Sequence, residues 1–355
     1  MLLRNIVIDC ERMKYPYTGL HEYCLRLSKA IFQLKENINA DLFFYTPKNE
    51  IDFLGNNASY IKQKSFHKFY NPHTKQASIW HTTYQGSMYF PKTKKTKKVL
   101  TIHDLNFLYD IQKSQKKKKK YLDLLQKKID QASYITAISN FTLQEIRKHL
   151  KTDNIPVRVI YNGCDCLTDY KQTQPETINT KTPFLFTIGT IARKKNFHVL
   201  PALLVGNDFR LIIAGIIQEK EYYDHILSEA QKHNVSERVI FTGPITNAEK
   251  YWYYNHAAMF LFPSLSEGFG IPVVEAMSQG TPVLTSTFTA LPEIAGDSGY
   301  YFNSFEPDDM QSVLMQSLND FNSNPIKKYH LIERSKKFNW QDAAFQYIDI
   351  YNSLL

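Results

Sequence analysis

The chain has 355 residues, 43% of them hydrophobic and 22% charged, with a net charge of +9 at neutral pH. That length suits two domains better than one core, and no run approaches the ~18 apolar residues of a membrane span. The opening MLLRNIVIDCERM carries acid and base too early for a secretory signal, so a cytoplasmic setting is expected, with Cys10, Cys24, Cys164 and Cys166 as reduced thiols outside any zinc spacing.

The positive charge is unevenly placed. Residues 1–180 hold 29 Lys and Arg against 16 Asp and Glu, and the remainder holds 14 against 18. Much of the excess comes from Lys92, Lys94, Lys95, Lys97, Lys98, Lys113 and the unbroken run Lys116 to Lys120. Such a face can meet anionic lipid headgroups or a phosphate-bearing acceptor, and it is equally compatible with a solvated surface.

Residues 4–10 (RNIVIDC) read as a buried strand. The stretch Glu11 to Leu20 is too punctuated for regular structure and is predicted as a loop. From His21 the apolar positions Tyr23, Leu27, Ile31 and Leu34 recur at helical intervals, giving an amphipathic helix to about Leu34. Strand, loop and helix form a nucleotide-type unit, although Gly19 stands alone and no G-x-G-x-x-G is present.

Strands are predicted at Asp41 to Tyr45 and Ser78 to Thr82. His81 lies near the end of the second, where it could face a ligand or serve as a satisfied structural histidine. The next strand, Lys98 to Ile102, ends in His103-Asp104, and a polar residue closing an apolar strand is expected to face a cleft. A helix near Tyr121 to Gln131, a strand at Tyr134 to Ala137 and a helix capped by Ser139 follow. A strand at Val157 to Tyr161 then leads into the turn Asn162-Gly163-Cys164-Asp165. The polar stretch Asp169 to Pro183 has the composition of a linker, and a hinge there would permit closure over substrate.

A second α/β series starts with the strand Phe184 to Gly189. After it, Arg193, Lys194 and Lys195 concentrate positive charge where a diphosphate would sit. Strands at Phe209 to Ala214 and at Val239 to Thr242, the latter followed by Gly243, flank a helix at Tyr222 to His233. The aromatic group Tyr251 to Tyr254 falls on a helix and is expected to pack rather than stack on a base.

The apolar run Ala257 to Pro263 reads as a buried strand entering SLSEGFGIPVVEAMSQG, residues 264–280. Pro272 suits the first helical position, with the helix running to Gln279 and Gly280 closing it. Strand end, the loop Gly268-Phe269-Gly270 and a helix N-terminus make a site suited to phosphate. Glu267 stands on the loop and Glu275 is placed in the first turn of the helix. Carboxylates repel phosphate and suit hydroxyl groups, so the combination points to a sugar linked to a phosphate. Further strands at Thr281 to Ser286 and Gly299 to Phe302, a helix opened by Leu291-Pro292-Glu293 and a terminal helix after about Asn339 complete the series.

The pair Glu267 and Glu275 within EGFGIPVVEAM, with the intervening Gly-Phe-Gly and the Pro after Ile, resembles the signature of retaining glycosyltransferases of family 4. The resemblance implies the α/β GT-B fold: two Rossmann-like doubly wound domains facing a central cleft. Residues 1–170 would form the acceptor-side domain, 171–183 the linker and 184–337 the nucleotide-sugar domain, and 338–355 would cross back to the first. In such enzymes Gly19 would lie near the donor diphosphate, His103 over the donor sugar and Gly243 beside the base. Glu267 would bind sugar hydroxyls and Glu275 the ribose, with the 268–270 amides on the leaving group. The basic motif departs by one step from the commoner Pro-Arg-Lys-Asn form. Lys194 stands where Arg is usual and Arg193 where Pro is, so Lys195 transfers directly and its partner stays open between the two.

The implied reaction moves a sugar from a nucleotide-sugar to an acceptor with retention, the leaving diphosphate helping to deprotonate the acceptor on the front face. No Asp-x-Asp follows a strand, and neither a metal nor another cofactor is expected. The Lys-rich form favours a GDP-mannose-like donor ahead of UDP-sugars, and a lipid-linked or surface-polysaccharide acceptor follows by family analogy. An anionic membrane surface is a candidate partner of the basic half, and no nucleic acid is expected. Two other classes remain: an epimerase or hydrolase on the same scaffold needing no acceptor, and a membrane- or nucleic-acid-binding protein working through its lysines.

Overall fold

A computed structural model describes residues 4–164, 172–175 and 182–355. Two compact units divide the chain, one comprising Met1–Gly163 with Asn339–Leu355 and the other Cys164–Phe338. Asp165 of the predicted turn, the following Cys166 and most of the expected linker lie outside the described residues.

The first unit is built on seven parallel strands: β1 (Asn5–Asp9), β2 (Asp41–Thr46), β3 (Ser59–Lys62), β4 (Ile79–Thr82), β5 (Lys97–Ile102), β6 (Tyr134–Ala137) and β7 (Val157–Val159). Their order, β3-β2-β1-β4-β5-β6-β7, reverses direction between β1 and β4, the position where open α/β sheets bind ligands. The inner strands β1, β4, β5 and β6 are buried along most of their length, as suits a sheet covered on both faces. β3 escaped prediction because it is an edge strand whose residues are exposed or half-buried, leaving no apolar run to read.

Helices α1 (Gly19–Gln33), α2 (Gln115–Ile129) and α3 (Asn140–His149) occupy the expected regions, but α2 starts six residues before Tyr121, capped by Ser114, and so takes in the run Lys116 to Lys120. The start of α1 corrects the sequence reading. Thr18 Oγ1 accepts the N–H of His21, so Gly19 is the first helical residue and not part of the loop. Ser139 caps α3 as expected, accepting from Thr142 N.

The second unit repeats the plan with β8 (Phe184–Ile188), β9 (Arg210–Ala214), β10 (Val239–Gly243), β11 (Met259–Phe262), β12 (Val283–Thr285) and β13 (Tyr300–Tyr301), in the parallel order β10-β9-β8-β11-β12-β13. Its helices are α4 (Lys220–Lys232), α5 (Asn247–His256), α6 (Ile271–Ser278), α7 (Leu291–Ala295), α8 (Pro307–Ser323) and α9 (Ile326–Ser335). Tyr251, Trp252, Tyr253 and Tyr254 of α5 are all buried, as packing residues should be. Thr173 N donates to Ala248 O at 3.3 Å, tying residues 172–175 to the start of α5.

The last helix, α10 (Trp340–Leu354), belongs to the first unit and lies along α1. The backbone at Gly163 makes this possible, since a Cβ there would sit 2.2 Å from Trp340 N. The Tyr347 hydroxyl is 2.9 Å from that of Tyr23, 3.0 Å from Thr101 Oγ1 and 3.1 Å from Thr136 Oγ1. His81 joins the network, its Nδ1 2.7 Å from the Tyr351 hydroxyl and its Nε2 2.8 Å from Thr101 Oγ1. Burial holds its pKa down at about 3, so His81 is a neutral structural residue, which decides between the two readings of it. Tyr347→Phe should cost about 1–3 kcal/mol by leaving buried hydroxyls short of a partner. Denaturant unfolding checks this, and an unchanged midpoint would show that the hydroxyls satisfy one another without Tyr347.

Candidate functional site

In the second unit the strand order reverses between β8 and β11, so the loops leaving these two strands meet at the ligand-binding position of the fold. After β8, Arg193–Lys195 form a single 3-10 turn closed by Asn196 in the left-handed region at φ 58°. After β11, residues 264–270 run to Gly270, whose φ of 103° sets up the entry to α6. Leu265 N donates to Lys194 O at 2.8 Å and clamps the two loops together.

The clamp brings Lys195 onto Glu267. Lys195 Nζ donates to Glu267 Oε1 at 2.6 Å, and the two side chains are only 10% and 13% exposed. The ammonium also lies 4.7 Å from the Phe262 ring centroid. A Cβ at position 189 would stand 3.1 Å from Lys195 Cε, so Gly189 leaves room for the lysine stem. Burial pulls the Lys195 pKa below its ordinary value, against the pull of Glu267. For Glu267 burial works toward a higher pKa, but Lys195 and Lys194 together bring it below the usual carboxylate range. Lys195 thus favours the carboxylate form of Glu267.

Glu267 is further fixed through its backbone, its N–H donating to Thr289 Oγ1 at 2.9 Å. Thr289 holds φ 58°, a costly conformation for a β-branched residue. Sequence reasoning missed it because a Thr between Phe288 and Ala290 carries no motif. Beside the ion pair in the chain, Asn196 Nδ2 and Ser266 Oγ are buried with no partner, as is Thr187 Oγ1 on β8. Buried polar groups are seldom left unpaired, so this corner has hydrogen-bonding capacity to spare.

The structure separates the three cations. Arg193 turns toward Glu219 and Glu221, at 3.7 and 4.0 Å, and lies over Tyr222. Lys194 is exposed and acts electrostatically on both Lys195 and Glu267. Of the two residues left open beside Lys195, Lys194 acts electrostatically on the pair, whereas Arg193 is engaged by Glu219 and Glu221.

Glu267 and Glu275 have different partners. Because α6 starts at Ile271, Pro272 is its second residue and Glu275 its fifth, one residue further along than the sequence reading placed it. Glu275 Oε1 accepts from Lys250 Nζ at 2.6 Å and Oε2 from the Tyr254 hydroxyl at 3.0 Å, both from α5. Neither partner was foreseen, since α5 reads as an ordinary packing helix. The Phe269 side chain is buried edge-on against Phe338, ring centroids 5.4 Å apart, so it faces the core and leaves only backbone for a ligand. Gly268 precedes it on the same loop. Gly243 ends β10 with φ 71°, its carbonyl accepting from Gly215 N at 2.9 Å.

In the first unit Gly19 stands exposed at the N-terminus of α1. His103 follows β5, but the ring is buried rather than open, with Nε2 2.7 Å from the Thr83 carbonyl oxygen and the Tyr23 ring edge-on at 4.5 Å. Burial lowers its pKa to about 4. A carbonyl can only accept, so Nε2 carries the proton and Nδ1 is left as an acceptor. Asp9, at the end of β1, accepts from Ser87 Oγ at 2.5 Å and Glu11 N at 3.0 Å, and burial raises its pKa to about 7. Arg12 was not singled out from the sequence. Its guanidinium lies 4.6 Å from the Tyr15 ring and 4.8 Å from Tyr84, with no hydrogen bond or ion pair among the described residues. Among the described residues no three His, Cys, Asp or Glu side chains gather as metal ligands.

Comparison with known proteins supplies the family context. A family model described as "Glycosyl transferases group 1" matches residues 169–338, and one described as "Glycosyltransferase Family 4" matches residues 52–166. The chain is 25% identical to O-antigen chain mannosyltransferase B of Escherichia coli, over 99% of its own length and 100% of that protein. It is 31% identical to serotype-specific mannosyltransferase WbdA of Escherichia coli over 64% of its length, but spans only 29% of that longer protein. Among solved structures, Anabaena Alr3699/HepE in complex with UDP and glucose matches with a TM-score of 0.75 at 14% identity, covering 99% of this chain and 100% of that one. Family models in both halves, a full-length relative and two parallel Rossmann-like sheets support one assignment: the chain is a glycosyltransferase of the GT-B fold.

Proposed function

We propose that this glycosyltransferase moves a hexose from a nucleotide-sugar to a growing surface polysaccharide or its lipid-linked precursor, with retention at the anomeric carbon. The buried Lys195–Glu267 pair at the β8/β11 reversal carries the reading. It sets a cation for phosphate and a carboxylate for hydroxyls 2.6 Å apart, as a sugar phosphate requires. A mannose donor, GDP-mannose first, is favoured by the full-length relative, named a mannosyltransferase of an O-antigen chain. A UDP-sugar comes second, since the structural neighbour was crystallised with UDP and glucose.

Cleavage of the bond between sugar and diphosphate builds negative charge on the leaving oxygens and positive charge on the ring. Lys195 and Lys194 stabilise the former, together with the backbone amides of residues 268–270. Glu267 binds sugar hydroxyls and Glu275 the ribose, its carboxylate positioned by Lys250 and Tyr254. His103, neutral at physiological pH, offers Nδ1 as an acceptor. Two nucleophile-and-acid carboxylates facing each other ~5 Å apart would mark a double displacement. Glu267 and Glu275 are each tied to their own cation, so the departing diphosphate is assigned the role of base. The reaction needs no metal and takes place at the cytoplasmic side of the membrane.

Three outcomes test this. Lys195→Ala should reduce turnover by about 100-fold or more while the protein stays folded, and Glu275→Ala should chiefly weaken nucleotide-sugar binding, as read by thermal shift across a panel of donors. Product formed on a synthetic acceptor should keep the donor's anomeric configuration by NMR; an inverted centre sinks the front-face route. Turnover should survive EDTA, and activity abolished by the chelator and restored by magnesium would overturn the metal-independent mechanism.

A further inference from the structure

Residues 53–103 contain no Asp or Glu and nine lysines. Within this stretch Ser65–Lys68 forms a single 3-10 turn. Phe66 stands on it, and Phe69 and Tyr70 follow directly, both backbone N–H groups donating to Phe66 O at 2.9 and 3.1 Å, which keeps the three residues close together. They point to solvent: the three rings are 54%, 83% and 58% exposed. The inward position is taken instead by His67, which is buried and 2.8 Å from the Tyr45 hydroxyl through Nδ1. The turn is therefore amphipathic in reverse, with a histidine anchoring it to the sheet and three aromatic rings held outward. Lys64 lies over Phe66 at 5.9 Å and Lys75 over Tyr70 at 5.7 Å, while Lys62 precedes the turn and Lys68 ends it in a stretch of sequence without acids, Lys68 also acting electrostatically on Glu11.

Exposing three neighbouring aromatic rings to water is unfavourable unless something covers them. A protein partner would leave the lysine ring without a counterpart of known sign. An anionic bilayer satisfies both features, with rings entering the headgroup region and ammonium groups meeting lipid phosphates. No helix among the described residues is long and apolar enough to cross a membrane, so attachment would be through the surface. We infer that the Phe66–Tyr70 turn is an interfacial anchor that seats the enzyme on a membrane containing anionic phospholipid. This rests on the proposed use of a lipid-linked or surface-glycan acceptor and assigns the attachment to this turn, not to the lysine run at 116–120.

The test is co-sedimentation of the full chain with phosphatidylcholine vesicles, with and without phosphatidylglycerol. The wild type should bind the anionic vesicles and lose them at high salt. The triple variant Phe66→Ser/Phe69→Ser/Tyr70→Ser, and to a smaller degree Phe69→Ser alone, should bind at least about tenfold less, while thermal stabilisation by nucleotide-sugar is unchanged. Replacing Lys116 to Lys120 by Gln should have a smaller effect than the triple variant. Wild-type protein that ignores anionic vesicles, or a triple variant that binds them as well as wild type, overturns the anchor. Loss of self-association in the triple variant with vesicle binding intact would assign the face to a second copy. Sugar transfer to a soluble acceptor is scored separately, so a chain that transfers sugar without binding vesicles sinks the anchor alone.

Discussion

A single buried ion pair organises the candidate site. Lys195 and Glu267 come from loops 72 residues apart in sequence, and burying both charges is costly unless geometry is good and further hydrogen bonds help. Here the cost is met by a 2.6 Å contact, by a ring under the ammonium and by the Thr289 hydroxyl under the Glu267 backbone. Such a pair adds little to net stability, since an apolar replacement could do as well. What it does secure is register. With the Leu265–Lys194 backbone bond it holds both loops at the sheet reversal, so a ligand meets charges already in place.

The two units use the same strand order to different ends. In the second, charged groups line the reversal: Lys194, Lys195 and Glu267, with Glu275 and Lys250 behind them on paired helices. In the first, burial neutralises the groups at the strand ends. His103 and His81 are pulled to low pKa and Asp9 is pushed up to about 7. Arg12 lies there over the rings of Tyr15 and Tyr84. One sheet thus presents ions and the other mostly dipoles, the division expected where one half handles a diphosphate and the other hydroxyl-bearing substrates.

Much of this could be read from sequence because the chemistry restricts residue type. Apolar runs ending in Gly, His or Ser-rich loops located twelve of the thirteen strands, and the Glu-Gly-Phe-Gly loop marked the region where Glu267 meets Lys195. The failures have local causes. β3 is an edge strand with no buried face, and α8 and α9 follow the last motif, where periodicity was not pursued. Glu275 sits one residue further into its helix than the sequence suggests, because Ile271 and not Pro272 opens it. No sequence signal separated His81 from His103. Both close apolar strands, and only the tyrosines of a helix almost 250 residues beyond Thr101 reveal that His81 is structural. Lys250, Tyr254 and Thr289 were invisible for the same reason, since their roles exist only through contacts between distant segments.

The first unit is closed by the last residues of the chain, and this orders its synthesis. Tyr23, Thr101, Thr136 and His81 emerge from the ribosome early, yet the hydroxyls of Tyr347 and Tyr351 that meet them are made only after the second unit. The second unit, encoded between the two parts, has every strand of its sheet available before translation ends. Until α10 has been made, these groups on α1, β4, β5 and β6 lack their Tyr347 and Tyr351 partners, so the hydrogen bonding of the first unit depends on a segment that lies beyond the whole of the second.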